Sequence, residues 1–297
     1  MQLFERIPLS TSICLVALGA IGLSSAGQRG ISDEQEKILS HLSLVQLDDG
    51  QGGLVDTIRI TGVNVQIVNG LGSTNGTPNP LVADPALTRT NGAGNLIVGY
   101  NELGHPLGDD RTGSHNIVVG ALNSYSSFGG QVGGYRNRLS YGYSSIVGGA
   151  NNQASGPWAT VAGGQDNVAS GRVAAISGGW RNLADGDLAV VVGGSANTAS
   201  GAYSAVLAGT QNLADRNHAA VVGGLHNTAR GDAAAVLGGR NNTASSAQSV
   251  IAGGLTNTAS GPRSFVGGGQ ENVASGSRSA VLGGIGNEAS GAGEHLP

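Results

Sequence analysis

Residues 144–291 are ten successive copies of one 15-residue unit, and the residues that recur are those that coil a backbone, not those that carry out reactions. Val or Ile stands at 146, 161, 176, 191, 206, 221, 236, 251, 266 and 281, with Ser or Ala two residues before each. The second Gly of a near-constant pair never varies, from Gly149 and Gly164 to Gly284. Neither does the Asn three residues later (Asn152, Asn167, Asn197 and on to Asn287), nor the Ala two beyond it (Ala154 through Ala289). A fixed period this short marks a solenoid, in which each copy buries its apolar positions only by stacking on its neighbours. A unit of this length has no room for a helical hairpin but holds two short strands and two turns. The predicted fold is therefore all-β, a parallel β-roll or β-solenoid of about ten such coils behind a short N-terminal helix.

Each recurring residue type has a conformational task. Gly at the first turn, and at the second turn of every copy except those with Arg216 and Ser246, suits a positive φ or a close approach of backbones. The Asn is placed at a corner, its side chain satisfying backbone groups there or bonding to the equivalent Asn one coil away. Because all ten copies carry it, a structural ladder is favoured over a catalytic role. Gly149, Gly164, Asn152, Asn167, Asn197, Ala154 and Val191 are thus read as structural positions. With charged residues at 11 %, aromatic residues at 4 % and 53 glycines in 297 residues, the interior must be a narrow stripe between closely spaced sheets. A net charge of -4, with Lys37 the single lysine, offers no basic surface for nucleic acid.

Residues 1–26 read as a signal peptide. A short polar start with Arg6 precedes an apolar run from Ile13 to Leu23, and Ser24-Ser25-Ala26 fits the small-x-small cleavage pattern, making Gly27 the expected mature start. An uncleaved anchor is the weaker alternative, since the run is shorter than the ~20 residues a span needs. Cys14 lies inside this segment without the small residue a lipoprotein site places before it, and the mature chain holds no cysteine. Export without disulfides fits a bacterial envelope or extracellular protein with no membrane span after cleavage.

Residues 27–56 are read as a helix and linker. Ser32-Asp33-Glu34-Gln35 opens a helix as a capping box, and Ile31, Ile38, Leu42 and Val45 follow 7-4-3 spacing over about two heptads. The helix either caps the solenoid end or forms a short coiled coil with other subunits. Asp48-Asp49-Gly50-Gln51-Gly52-Gly53 ends it as a turn with too few ligands for calcium. Residues 57–143 read as irregular coils: 58–69, 96–101, 117–123 and 132–137 each resemble one repeat strand, interrupted by insertions 72–94 and 103–115. The second insertion holds His105, Asp109, Asp110, Arg111 and His115. Two imidazoles and two carboxylates raise a metal reading, but their spacing matches no standard site, and a solvated loop with an Asp–Arg pair is favoured. Neither a metal nor another cofactor is expected.

Ser279-Ala280-Val281-Leu282-Gly283-Gly284, Asn116-Ile117-Val118-Val119-Gly120 and the Asn-x-Ala-Ser-Gly turns resemble the YadA-like head repeats of trimeric autotransporter adhesins, over roughly residues 116–291. The resemblance implies a left-handed parallel β-roll, three chains side by side, and a head that binds host matrix or cell surfaces. Ser40-His41-Leu42-Ser43-Leu44-Val45 and Arg111-Thr112-Gly113-Ser114-His115-Asn116 are similar to blocks in predicted secreted bacterial proteins with such repeats. The coil here is one residue longer than the family's usual one. A tail, residues 292–297, follows the last repeat in place of a stalk and barrel strands, so the expectation is a released protein, one held by something else, or a truncated product.

Oligomerisation can also be argued from the unit. In the first strand the Val/Ile and its small neighbour face one way. The intervening positions face the other and are apolar too: Val190, Ala205, Ala220, Val250 and Phe265 in one column, Val147, Val192, Leu207, Val222, Leu237 and Leu282 in the next. A strand apolar on both faces must be covered on both. The roll's interior covers one, so the other predicts a strip that a partner hides, and a homotrimer is favoured over a single wider roll. The second strand presents Thr198, Thr228, Thr243 and Thr258 in a column shared with Val168, Leu183, Leu213 and Val273, beside a column mostly of Ser. Such a ladder at ~4.8 Å spacing also suits ice binding, although Leu183, Asp185, Leu213, Asp215 and Arg230 interrupt it.

No nucleophile elbow, metal-ligand helix, phosphate loop or recurrent carboxylate pair points to an enzyme. Asn-x-Ala-Ser also replaces the Asp of a calcium-binding nonapeptide roll. The sequence is read as an exported bacterial surface or extracellular adhesin-like structural or binding module, with an ice-binding or glycan-binding β-solenoid as the alternative. Specificity is expected in the turns that vary between copies. Trp158, Trp180, Tyr203 and His226 are the candidate contacts for a host matrix protein, glycan or cell-surface ligand, with plain turn filling as the competing reading.

Overall fold

A computed structural model describes residues 31–297, so the signal peptide expected over 1–26 and the mature start at Gly27 lie outside the described residues. The described residues divide into two compact units, one ending at Gln66 and the other Ile67–Pro297. Among the described residues no helix is long and apolar enough to cross a membrane.

In the first unit the capping box opens α1 (Asp33–Leu39). The Ser32 hydroxyl accepts the Gln35 N–H at 3.2 Å, and the Gln35 side chain accepts the Ser32 N–H at 2.8 Å. The helix is shorter than its heptad spacing predicts. Leu42 and Val45 lie instead in β1 (Leu42–Asp48), paired antiparallel with β2 (Leu54–Ile60), Leu42 opposite Ile60 and Asp48 opposite Leu54. Apolar and polar residues nearly alternate in Leu42-Ser43-Leu44-Val45-Gln46-Leu47-Asp48, and the Gly-rich turn that follows completes a hairpin signal stronger than two surviving heptad positions. Segment 58–69, expected to be a first coil, contributes its first residues to β2 instead. Asp48 and Asp49, weighed above as calcium ligands, close the hairpin. Their Oδ1 atoms accept the N–H groups of Gly50, Gln51 and Gly53, each at 2.8 Å. Those bonds to Gln51 and Gly53 hold Asp49 below its ordinary pKa of 3.8.

The second unit is a parallel β-solenoid of about 12 turns. β3 (Leu96–Val98) and β4 (Ile117–Ala121) begin one sheet, β5 (Ser124–Tyr125) begins another, β6 (Gln131–Tyr135) returns to the first and β7 (Arg138–Leu139) to the second. Two-residue strands continue this alternation to Glu288–Ala289 and His295–Leu296, giving parallel sheets of 14 and 12 strands. Register never slips in the repeats: Val190 pairs with Ala175 and Ala205, and Thr198 with Leu183 and Leu213. Four buried ladders fill the interior: Ser or Ala (Ala189), Val or Ile (Val191), Asn (Asn197) and Ala (Ala199), these four residues all at 0 % exposure. The first turns carry bulkier filling, with Tyr125, Phe128 and Leu139 at 0–2 %.

The invariant residues have stereochemical reasons. Gly194 has φ +88°, and a Cβ there would run into the carbonyl oxygen of Gly209 and lie 2.6 Å from Asn197 Nδ2. Its neighbour Gly193 faces open space, which explains why Ala208 can replace the equivalent Gly one coil later. At the second turn Gly186 takes no positive φ; a Cβ would collide with the Gly201 carbonyl, so close approach is the operative constraint there. Asn197 does both things expected of it. Its Oδ1 accepts the Asn212 N–H at 3.0 Å, while Nδ2 donates to the carbonyls of Gly193 and Gly209, each at 2.9 Å. Each coil also places one further residue at positive φ in each turn, in most coils a non-glycine such as Asp166 (φ 57°) or Val173 (φ 59°).

Candidate functional site

The second unit leaves an apolar column exposed on the 14-stranded sheet. Val191 and its equivalents point inward and are buried, Val190 is half-buried, and the next residue of each coil faces out. Val192 is 49 % exposed, Leu237 49 % and Leu282 63 %, with Val147, Leu207 and Val222 exposed as well. Ala162, Ser177, Ala252 and Gly267 occupy the remaining places. Among the described residues of the second unit, none covers this column.

The column already stands in the shorter coils as Val98 and Val119, 54 % and 39 % exposed, and is interrupted at Gly133 before the coil lengthens. Strands β4 and β6 are offset by 14 residues, Val118 facing Val132, whereas Val161 and Ile176 are offset by 15. One residue separates the buried Val132 from the positive-φ Gly134, while two, Val147 and Gly148, separate Ile146 from Gly149. The added residue therefore falls in the first turn, beside the exposed column.

The four turn candidates do not converge. Trp158 and Tyr203 lie on the second turn, three coils apart, and Trp180 and His226 on the first turn, also three coils apart. Trp158 stacks on Tyr143 with ring centres 6.3 Å apart, and Tyr143 packs edge-on against Phe128 at 5.1 Å. Tyr203 stacks on His218 at 5.0 Å. The Trp180 indole donates to Asp166 Oδ2 at 3.2 Å, and the Arg181 guanidinium covers its ring at 4.2 Å. His226 is exposed. Trp158, Tyr203 and His226 have φ of 57°, 59° and 55°, but so do unrelated residues one coil away, so this conformation belongs to the position and does not single them out.

Insertion 103–115 is folded against the solenoid. Asp109 accepts the N–H groups of Gly104 at 2.8 Å and His105 at 3.1 Å, and lies 3.6 Å from Arg111, the Asp–Arg pair expected above. The Arg111 guanidinium donates to the carbonyls of Asn101 and Glu102. Asp110 Oδ1 accepts from Thr112 N–H and Oγ1 at 3.1 and 2.7 Å. His115 sits elsewhere, with Nδ1 3.0 Å from the Thr74 carbonyl and Nε2 accepting the Asn69 N–H at 3.2 Å. The imidazoles and carboxylates weighed as a metal set are thus each engaged by backbone groups, and among the described residues no group of three such side chains is placed to hold an ion. His105 is buried, not solvated. Burial lowers its pKa from 6.5; a contact with the Arg136 backbone opposes that, and the Arg138 charge adds to the lowering.

Beside His105 the insertion walls a cleft of about 380 Å³ over the 12-stranded sheet, with Arg136, Arg138, Gln153 and Asp166 among its floor residues. Sequence reasoning missed it. The columns are readable from the repeat period, but nothing in the sequence says that the insertion folds back over them. On the same sheet Thr228, Thr243 and Thr258 are consecutive in one half-buried column, flanked by Leu213 and Val273. Arg230 and Asp215, 3.9 Å apart, occupy the adjacent column.

A comparison with known protein families finds no match, and a comparison with curated proteins finds none either.

Proposed function

We propose that this chain is an adhesin-like structural module of the YadA-head kind, exported by a bacterium to its surface or surroundings and without a catalytic step of its own. In this reading three chains associate side by side through the exposed column of Val147, Val192, Leu207, Val222, Leu237 and Leu282, and the variable turns face a matrix protein, glycan or cell. The observation that carries the reading is the in-register apolar column that the described residues of the second unit leave exposed, a surface that water disfavours and that two further copies of the column would cover about a three-fold axis. The test is binding of the chain to immobilised matrix proteins and to whole cells, with Val192→Ser, Leu207→Ser and Leu237→Ser combined. The parent should bind and the triple variant should lose multivalent retention; equal retention by both would contradict the reading.

Ice binding is the second reading, favoured by the consecutive Thr228, Thr243 and Thr258. Inhibition of ice recrystallisation, removed by Thr243→Val, would move it ahead of adhesion.

A further inference from the structure

The cleft beside His105 has a floor laid out by coil geometry. Arg136 and Arg138 flank the inward Asn137, Asn151 and Gln153 flank Asn152, and Asp166 and Val168 flank Asn167. Side chains from three successive coils therefore stand in two outward columns. With coils ~4.8 Å apart and alternate residues roughly 6–7 Å apart, the floor measures about 10 by 7 Å. His105, Pro106 and Leu107 form one wall, and the open cleft of about 380 Å³ suits a single small polar ring.

The charges are graded along this floor. Two guanidinium groups stand on the first coil, two carboxamides on the second and a carboxylate on the third. The arginines are largely unspent. Arg136 Nε is buried with no hydrogen-bond partner, and its guanidinium rests 4.9 Å from the Tyr135 ring centre. Arg138 reaches only the Leu107 carbonyl, at 3.5 Å. Neither belongs to an ion pair among the described residues. Asp166, in contrast, is oriented through Oδ2 by the Trp180 indole at 3.2 Å and Gln165 at 3.3 Å.

We propose that this cleft binds an anionic sugar unit. Its carboxylate or sulfate pairs with Arg136 and Arg138, its hydroxyls bond to Asn151, Gln153 and Asp166, and its apolar ring face lies on Pro106 and Leu107. Planar amides and carboxylates match vicinal hydroxyls, and paired guanidinium groups match a planar or tetrahedral anion. The site is formed within one chain and does not depend on lateral association, so either idea can fail alone.

Trp180, bonded to Asp166, is a built-in reporter. The full chain carrying Trp158→Phe, which leaves Trp180 as its single tryptophan, is titrated with a digalacturonate, a sulfated disaccharide, a neutral disaccharide and inorganic phosphate. The expected result is a saturable change in Trp180 fluorescence with at least one acidic saccharide, and at least tenfold weaker binding of the neutral sugar and of phosphate. Arg136→Gln with Arg138→Gln should weaken the acidic saccharide at least tenfold, while Arg263→Gln leaves it unchanged. Leu107→Asp, on the exposed wall, supplies the same loss should the double variant melt earlier. A response to only one acidic saccharide supports the site and identifies its anion. The proposal is overturned if calorimetry and fluorescence both show no saturation by either acidic saccharide, if the neutral sugar or phosphate binds equally well, or if the variants retain binding.

Discussion

The first turns of the solenoid and its regular coils solve the same packing problem by different means. In the first turns bulky side chains such as Tyr125, Phe128 and Leu139 fill the interior, insertions dock on the outside, and the offset is 14 residues. In the regular coils the interior shrinks to Val, Ala and Ser ladders, the outside is bare, and the offset is 15. What persists across the change is the Asn ladder: Asn123 Oδ1 accepts from Asn137 N–H at 3.0 Å just as Asn197 Oδ1 does from Asn212. The backbone rule is therefore the polar ladder and its positive-φ glycine, while core volume and coil length are adjustable around it.

The largest effect expected breaks that rule. Gly194→Ala forces a Cβ into the Gly209 carbonyl at positive φ and should destabilise by about 3 kcal/mol. Gly193→Ala, in open space, should stay within about 0.5 kcal/mol. Guanidinium melts of the pair measure the difference, and equal losses would contradict the stereochemical account. Next, Asn197→Ala removes three hydrogen bonds and orphans buried backbone groups, at about 2–3 kcal/mol. Asn123→Ala, with the same three bonds, should lose a similar amount although it lies in the irregular region. A much smaller loss at Asn123 would confine the ladder's importance to the repeats.

A smaller effect has the opposite sign. Val173 is β-branched, 40 % exposed and held at φ 59°, so Val173→Gly should stabilise by up to about 1 kcal/mol, seen as a higher melting temperature. The smallest concerns insertion 103–115. Because burial lowers the His105 pKa, the unfolded chain binds more protons there. Its contribution is complete above pH 6.5 and is lost as pH falls from that value through the folded one. The protection of the amides of residues 103–109, taken relative to the intrinsic exchange rate at each pH, should fall on acidification below 6.5, and His105→Gln should flatten that response while leaving the regular coils unaffected.

Most of the solenoid is legible because one period repeats ten times: Val191, Asn197 and Gly194 can be placed by counting. The N-terminal hairpin is less so, since Leu42 and Val45 satisfy a heptad and an alternating strand at once, and only pairing with β2 decides between them. The positive-φ positions leave no compositional trace, because Trp158, Val173, Leu188 and Arg263 share one backbone conformation with no shared side chain. The cleft is invisible for another reason. It depends on insertion 103–115 folding onto Arg136 and Arg138, a tertiary contact between segments with no common period.

The exposed column of the regular coils is the feature on which the functional account turns, and solution mass tests it most directly. Sedimentation equilibrium of Gly27–Pro297 should give a mass of three chains, falling to one when Val192, Leu207 and Leu237 are all replaced by Ser. A parent chain that sediments as a monomer would contradict lateral assembly and leave the apolar column without the partner proposed for it.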